Sequence, residues 1–324
     1  MKAILCEQFG DPDLLELREV PDPIVGENQV LIEVNACGVN FPDLLMIQNK
    51  YQFKPDLPFS PGGEVAGKVL ALGKNVTNFQ IGDSVLALCR WGGFAEKVAV
   101  DSDRVFLLPD SLNAKSAATM LYTMSTSYHA LKDRAELKAG ESVLVLGAAG
   151  GVGLAAVELA KMMGAKVIAG ASTPEKLQLC KDRGADFLIN YEEENLKSQI
   201  KELTNGKGVD VVFDPVGGNY TDSAIRGMAW KGRYLIVGFS NGEIPKIPMN
   251  LPLLKGCSIL GVFWGQFSKL EKELNLKNLN QLIDWILEDK LKGPEVAEFP
   301  IDRAKEALLK LQDRSNYRKG VVIL

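Results

Sequence analysis

The sequence predicts an α/β protein: a doubly wound parallel sheet joined to a small, irregular β-barrel domain. Three observations carry that prediction. From about residue 126 onward, apolar strand-like runs alternate with helical runs, the pattern of a parallel sheet with crossover helices. Before that point, short β-branched runs are separated by Pro61-Gly62-Gly63, Gly73-Lys74-Asn75 and Ile81-Gly82-Asp83, which is the punctuation of short strands and tight turns. Between the apolar run Val143-Leu144-Val145-Leu146 and a helical run lies Gly147-Ala148-Ala149-Gly150-Gly151-Val152-Gly153. Small residues there let the backbone approach a ligand, and a helix N-terminus then points amide N–H groups at an anion.

The elements follow in order. Strands are expected over 29–34, 65–72, 84–88 and 95–100. A strand over 142–146 leads into a helix over 152–163, whose Val152, Ala156, Leu159, Ala160 and Met163 share one face before Gly164 stops it. Strands over 166–171, 186–191, 209–214, 233–237 and 259–263 alternate with further helices, among them 174–183, which ends at Gly184. The tail holds an amphipathic run over 279–291, a helix over 301–311 and a strand over 320–324. It is expected to return to the barrel domain, with a ligand cleft between the two domains.

Composition narrows the function. The 324 residues are enough for about two domains. Hydrophobic content of 46%, charged content of 24% and a mean hydropathy of +0.01 fit a water-soluble chain. No stretch reaches the roughly 18 apolar residues of a membrane helix, and Glu7 arrives too early for a signal peptide, so a cytoplasmic location is expected. A formal net charge of −4 without basic clusters argues against nucleic acid as a partner. Cys6, Cys37, Cys89, Cys180 and Cys257 are far apart and form no C-x-x-C pair, so reduced thiols are expected rather than disulfides or a zinc knuckle.

The glycine turn departs from G-x-G-x-x-G: Ala148 stands at the first position, followed by Gly150 and Gly153. Its place after a strand and before a helix marks it as a dinucleotide site. The second strand identifies the dinucleotide. An NAD site usually carries Asp or Glu at that strand's tip to hold the ribose 2′-OH. Here the strand runs Ala169-Gly170-Ala171-Ser172-Thr173, and Lys176 follows in the first turn of the next helix. Two hydroxyls and an ammonium suit a 2′-phosphate, so NADPH is the expected cofactor.

With these residues in view, the chain resembles the zinc-independent quinone oxidoreductases, zeta-crystallin-like members of the medium-chain dehydrogenase/reductase superfamily. The resemblance rests on Cys37-Gly38-Val39-Asn40-Phe41-Pro42-Asp43, Pro61-Gly62-Gly63-Glu64-Val65-Ala66-Gly67 and Gly82-Asp83-Ser84-Val85. It continues through Thr126-Ser127-Tyr128-His129-Ala130-Leu131, the glycine turn, Asp214-Pro215-Val216-Gly217-Gly218 and Gly261-Val262-Phe263-Trp264-Gly265. It implies a GroES-like catalytic domain over 1–125 and 267–324, a Rossmann domain over 126–266, and a homodimer. By the same resemblance Asn40 and Asp43 line the nicotinamide side, and Thr126 lies near the nicotinamide ribose and phosphates. Gly150, Gly151, Val152 and Gly153 form the pyrophosphate turn. Ser172, Thr173, Lys176 and Tyr191 surround the 2′-phosphate. Phe239, Ser240, Phe263, Trp264 and Gly265 contact the nicotinamide half, and Arg318 supports the adenosine end, although 315–320 departs from the usual tail spacing.

The resemblance also bears on metal. Zinc-dependent relatives place Cys where Asn40 stands and Gly-His-Glu where Gly62-Gly63-Glu64 stands, so no zinc is expected. The lone histidine, His129, reads as a helix residue near the domain junction rather than a base. Hydride then comes from the cofactor, and the protein supplies orientation and charge placement. Tyr51 and Asn40 are the expected donors to the oxygen that becomes negative, with water as an alternative. Glu64 reads as the holder of a local hydrogen-bond network, and Cys37 as buried filler. The first reading is an NADPH-dependent quinone reductase. The alternatives are an NADPH-dependent 2-alkenal or enone double-bond reductase and a non-catalytic NADPH-binding protein.

Overall fold

The computed structural model describes residues 1–313 and 318–324. They form two compact units: Met1–Tyr122 with Gly293–Leu324, and Thr123–Lys292.

The first unit holds β1 (Lys2–Leu5), β2 (Glu16–Glu19), β3 (Gln29–Gly38), β4 (Glu64–Leu72), β5 (Ser84–Leu88), β6 (Lys97–Asp101) and β7 (Val105–Leu107). β3 is the organising strand. One edge pairs throughout with β4, and the register breaks after Leu31 and after Val34. On the other edge, residues 29–33 pair with β6. Val30, Ile32, Val34 and Ala36 alternate with solvent-facing positions and are at most 2% exposed, the period of a half-buried strand. The helix Phe41–Ile47 follows β3, with Asn40 as its N-cap and a capping box closed by Asp43.

The second unit holds β8 (Ser142–Val145), β9 (Lys166–Ala171), β10 (Phe187–Asn190), β11 (Val209–Asp214), β12 (Met228–Ile236) and β13 (Ser258–Gly261). They form one sheet in the order β10-β9-β8-β11-β12-β13, parallel throughout. Numbered by appearance this is 3-2-1-4-5-6, the Rossmann order, whose switch point lies at the first strand. Val143, Leu144 and Val145 of β8 are fully buried, as expected of a strand covered on both faces.

The chain then returns to the first unit with β14 (Val296–Pro300), the helix Ala304–Asp313 and β15 (Lys319–Ile323). β15 runs antiparallel to β3, with Gly38 opposite Val321 and Ala36 opposite Ile323. Residues 320–324 were expected to return to the barrel, and they do. The expected boundary at residue 267 falls too early, however: residues 267–292 belong to the second unit. Their packing explains it. The His129 ring stacks on Phe267 at 3.9 Å between centroids. Asn278 donates to Asp133 Oδ2 at 2.8 Å and accepts from Lys132 Nζ at 2.5 Å. The trp indole of Trp264 donates to Asn275 Oδ1 at 3.0 Å. None of these pairings leaves a periodic signature in the sequence.

Candidate functional site

The second unit carries an anion cradle. Gly147 has φ +57°, and its carbonyl accepts from Gly150 N at 2.9 Å, closing the turn. Gly150 is the N-cap of the helix Gly151–Met162, and its missing side chain leaves the first amides without a side-chain cap. Those N–H groups and the helix dipole suit a phosphate. At Gly153 a Cβ would stand 2.2 Å from Gly147 O, so only glycine lets the helix sit this close to the turn. The Ser127 hydroxyl donates to Val152 O at 2.7 Å, which holds the Thr126–Tyr128 turn beside the same helix start.

The tip of β9 lies next to this turn, since Ala148 N donates to Gly170 O at 3.0 Å. Ala171 pairs with Asn190 across β9 and β10, so Ser172 and Tyr191 leave adjacent strands side by side. Lys176 Nζ donates to Ser172 Oγ at 3.2 Å. Thr173 caps the helix Pro174–Asp182 by accepting from Lys176 N at 3.4 Å. The Tyr191 and Tyr220 rings lie 4.4 Å apart. Ser172, Thr173, Lys176 and Tyr191, named from scattered sequence cues, therefore share one corner. The strand tip itself carries no carboxylate, although Glu175 in the following helix turn accepts a hydrogen bond from Thr173; the hydroxyls and Lys176 fit a phosphomonoester on a ribose.

Phe239 and Ser240 follow β12, where Ser240 N donates to Pro215 O at 3.0 Å. Phe263 and Gly265 are exposed, whereas the Trp264 side chain is buried. His129 is buried in its helix and its Nδ1 lies 2.9 Å from Asp133 Oδ2, which makes it part of the packing described above.

In the first unit a second polar cluster forms where three strands end. Glu64 opens β4 opposite Gly38, and continuing the β3–β15 register sets Asn40 across from Lys319. Asn40 Nδ2 donates to Glu64 Oε2 at 3.0 Å and to Gly38 O at 3.2 Å. Both amide hydrogens are thus committed, which leaves none for a substrate oxygen. Asn40 Oδ1 accepts from Lys319 Nζ at 2.5 Å. Glu64 Oε1 accepts from the amides of Leu121 at 2.5 Å and Tyr122 at 3.3 Å. Asp43 Oδ2 accepts from Asn40 N at 2.7 Å, while Asp43 Oδ1 is buried without a hydrogen-bond partner.

Asn40, Asp43 and Glu64 are 4%, 1% and 0% exposed. Burial raises the Glu64 carboxyl to about 7, against the pull of Lys319 and Asn40. Burial likewise raises Asp43 to about 7, against the Asn40 amide and Lys319. Lys319 is shifted downward by burial, while Glu64 and Asp43 act to hold its charge. Tyr51 is half-buried, and its hydroxyl is pushed up by burial and by Asp43. Glu64 serves as the network holder that its sequence context suggested. Lys319 and Tyr122 were not anticipated: strand pairing brings in Lys319, and a backbone amide brings in Tyr122. Arg318, the neighbouring basic residue, lies 3.5 Å from Glu295 with its side chain about half exposed. Residues 315–317, quoted with it, lie outside the described residues.

This cluster does not fit zinc. Asn40 and Gly63 supply no thiolate or imidazole, and an ammonium already sits on the Asn40 oxygen. Among the described residues, no group of three or more His, Cys, Asp or Glu side chains could hold a metal ion.

Comparison with known proteins places this geometry in a family. Residues 26–110 match the family model for the alcohol dehydrogenase GroES-like domain, and residues 151–280 match that for the zinc-binding dehydrogenase. The chain is 40% identical over 324 residues to a quinone oxidoreductase-like protein 2 homolog of Nematostella vectensis, covering 99% of this chain and 88% of the relative. Among solved structures, the Escherichia coli quinone oxidoreductase complexed with NADPH superposes with a TM-score of 0.93 at 28% identity, covering all of both chains. A mycobacterial protein complexed with NADPH gives a TM-score of 0.94 at 30% identity, also over the full length of both. The glycine turn after the first strand of a 3-2-1-4-5-6 sheet, the barrel built on β3 and these full-length likenesses lead to one conclusion: the chain belongs to the quinone oxidoreductase family of the medium-chain dehydrogenase/reductase superfamily.

Proposed function

We propose that this chain is an NADPH-dependent quinone oxidoreductase that works without a metal. The observation that carries the cofactor is the corner at the tip of β9, where Lys176 Nζ meets Ser172 Oγ and no carboxylate occupies the strand end. Ser172, Thr173, Lys176 and Tyr191 hold the 2′-phosphate. Gly150, Gly151, Val152 and Gly153 receive the pyrophosphate, beside Thr126. Asn40, Asp43, Phe239, Ser240, Phe263, Trp264 and Gly265 serve the nicotinamide half, and Arg318 the adenosine end. The bound cofactor supplies the hydride. The protein orients the two reactants and stabilises charge on the acceptor oxygen, with Tyr51 as a neutral donor. The names of the relatives, quinone oxidoreductase and quinone oxidoreductase-like, support a quinone as acceptor.

A homodimer completes the proposal. β13 ends the parallel sheet with one edge unpaired among the described residues. Trp230, Met249, Leu253 and Leu254 are 68%, 80%, 77% and 69% exposed in the elements around it, and an open edge with apolar cover invites a second copy.

An acceptor screen tests the function. Purified protein should oxidise NADPH with ortho- or para-quinones and not with 2-alkenals. Turnover of 2-alkenals alone would make it a double-bond reductase. Stabilisation by NADPH with no turnover on any acceptor would make it a binding protein.

A further inference from the structure

We propose that Lys319 is the catalytic cation of the barrel unit, the donor that receives the acceptor's oxygen as that oxygen becomes an anion. This rests on the quinone reductase reading of the same site and names a residue that reading lacks.

The argument counts hydrogen bonds. A two-electron reduction by hydride leaves one acceptor oxygen negative, and that oxygen then takes one proton from solvent. Something must stabilise the anion in the meantime. Asn40 cannot donate, because both its amide hydrogens go to Glu64 and Gly38. Glu64 and Asp43 only accept when ionised, and both are too buried to present a protonated oxygen to a ligand. Lys319 has three N–H donors and spends one on Asn40 Oδ1. It makes no second hydrogen bond among the described residues. Lys319 is partly exposed as a residue, whereas Asn40, Asp43 and Glu64 are buried.

The charges argue the same way. Desolvating an ammonium is costly unless it is paired and hydrogen-bonded. Burial lowers Lys319, whereas Glu64 and Asp43 oppose that shift, and Asn40 accepts one of its hydrogen bonds. When protonated, Lys319 has two N–H donors unused among the described residues, the requirement for an oxyanion site. Tyr51 and Tyr122 offer neutral hydroxyls, which stabilise an anion less than a full charge does.

The test compares Lys319→Met and Lys319→Arg with the wild type by two readouts. The first is binding of 2-hydroxy-1,4-naphthoquinone, an anion at neutral pH, followed by tryptophan fluorescence. The second is kcat and KM for neutral 1,4-naphthoquinone at saturating NADPH. Lys319→Met should bind the anion about 10-fold more weakly or worse and lose roughly 100-fold in kcat, with NADPH affinity near wild type. Lys319→Arg should recover part of both. Anion binding and kcat that survive Lys319→Met overturn the proposal, even if the melting temperature falls. Should Lys319→Met fail to fold, Lys319→Met/Glu64→Gln, which also removes the stranded carboxylate, is read by the same criteria. Lysine-dependent anion binding without turnover of any quinone would uphold Lys319 as the anion site and sink the quinone reductase reading instead.

Discussion

Two alanine substitutions in the glycine turn should separate folding from cofactor binding. At Gly153 a new Cβ would lie 2.2 Å from Gly147 O and 2.9 Å from Ala148 Cα and Gly147 C. All three are backbone atoms, so the helix start must retreat by roughly 1 Å to restore contact, at the upper end of the ~1–3 kcal/mol range for overpacking. Helix propensity returns at most about 1 kcal/mol. The net loss of about 2 kcal/mol corresponds to a fall in Tm of roughly 4–8 °C for a unit of this size. At Gly150 the nearest atom is Gly147 O at 3.3 Å, and the backbone there, φ −76° and ψ 168°, admits any residue. Gly150→Ala should therefore cost about 1 kcal/mol, the usual N-cap penalty. Its methyl nonetheless occupies the approach to the open amides. Thermal unfolding followed by dye fluorescence, and NADPH titration by nicotinamide fluorescence, read the two effects. Gly153→Ala should lose Tm and affinity together, while Gly150→Ala should weaken NADPH by about 10-fold or more with little change in Tm. NADPH binding unchanged in Gly150→Ala would refute the placement of the pyrophosphate at this helix start.

Three further outcomes follow from the geometry. Lys176→Ala should weaken NADPH by about 10- to 100-fold, the worth of one charge-assisted hydrogen bond, and leave NADH nearly unchanged; equal weakening of both would remove the 2′-phosphate assignment. Glu64 and Asp43 are raised to about 7 in the fold, against about 4 unfolded. Their contribution to stability is therefore fully present below about pH 4 and lost as pH rises through 7. Lys319 is shifted the other way and acts on the alkaline side. The Tm of Glu64→Gln should accordingly fall less than that of wild type between pH 5 and pH 8, and identical slopes would contradict the burial argument. Light scattering after gel filtration should give twice the chain mass, and Leu253→Glu with Leu254→Glu should shift it toward one chain; a wild-type monomer would dispose of the edge-strand interface.

The nucleotide unit was legible because its information is local. The glycine turn, the helix start and the tip of β9 all lie between residues 142 and 176, where strand and helix periods identify them directly. Even there, residues 267–292 were assigned to the wrong unit, since their place depends on single side-chain meetings such as His129 with Phe267 and Lys132 with Asn278. The barrel was legible in its strands but not in its chemistry. Asn40 and Glu64 are 24 residues apart, Asn40 and Lys319 are 279 apart, and no spacing rule joins them. What joins them is β3, which pairs with β4 on one edge and lends the last part of its other edge to β15. Resemblance directed attention to Asn40 as a donor; the register shows where its hydrogens are already spent.

That register also explains why the lysine and the two acids must be considered together. Glu64 and Asp43 are both nearly inaccessible to water, and burying two ionised carboxylates is costly without a counter-charge. Neutral Asn40 relieves none of that charge. Lys319 removes one unit of it and reaches the cluster only because β15 starts at the height of Asn40. Lys319 holds both carboxyls down toward 7, so its removal should raise them further and leave at least one protonated at pH 8. A protein that kept the same charges in Lys319→Met at pH 8, read from carboxyl bands in difference infrared spectra, would show that the cluster is wetter than its burial implies. If the carboxyl band appears on substitution, the lysine is the counter-charge on which the geometry of Asn40 depends.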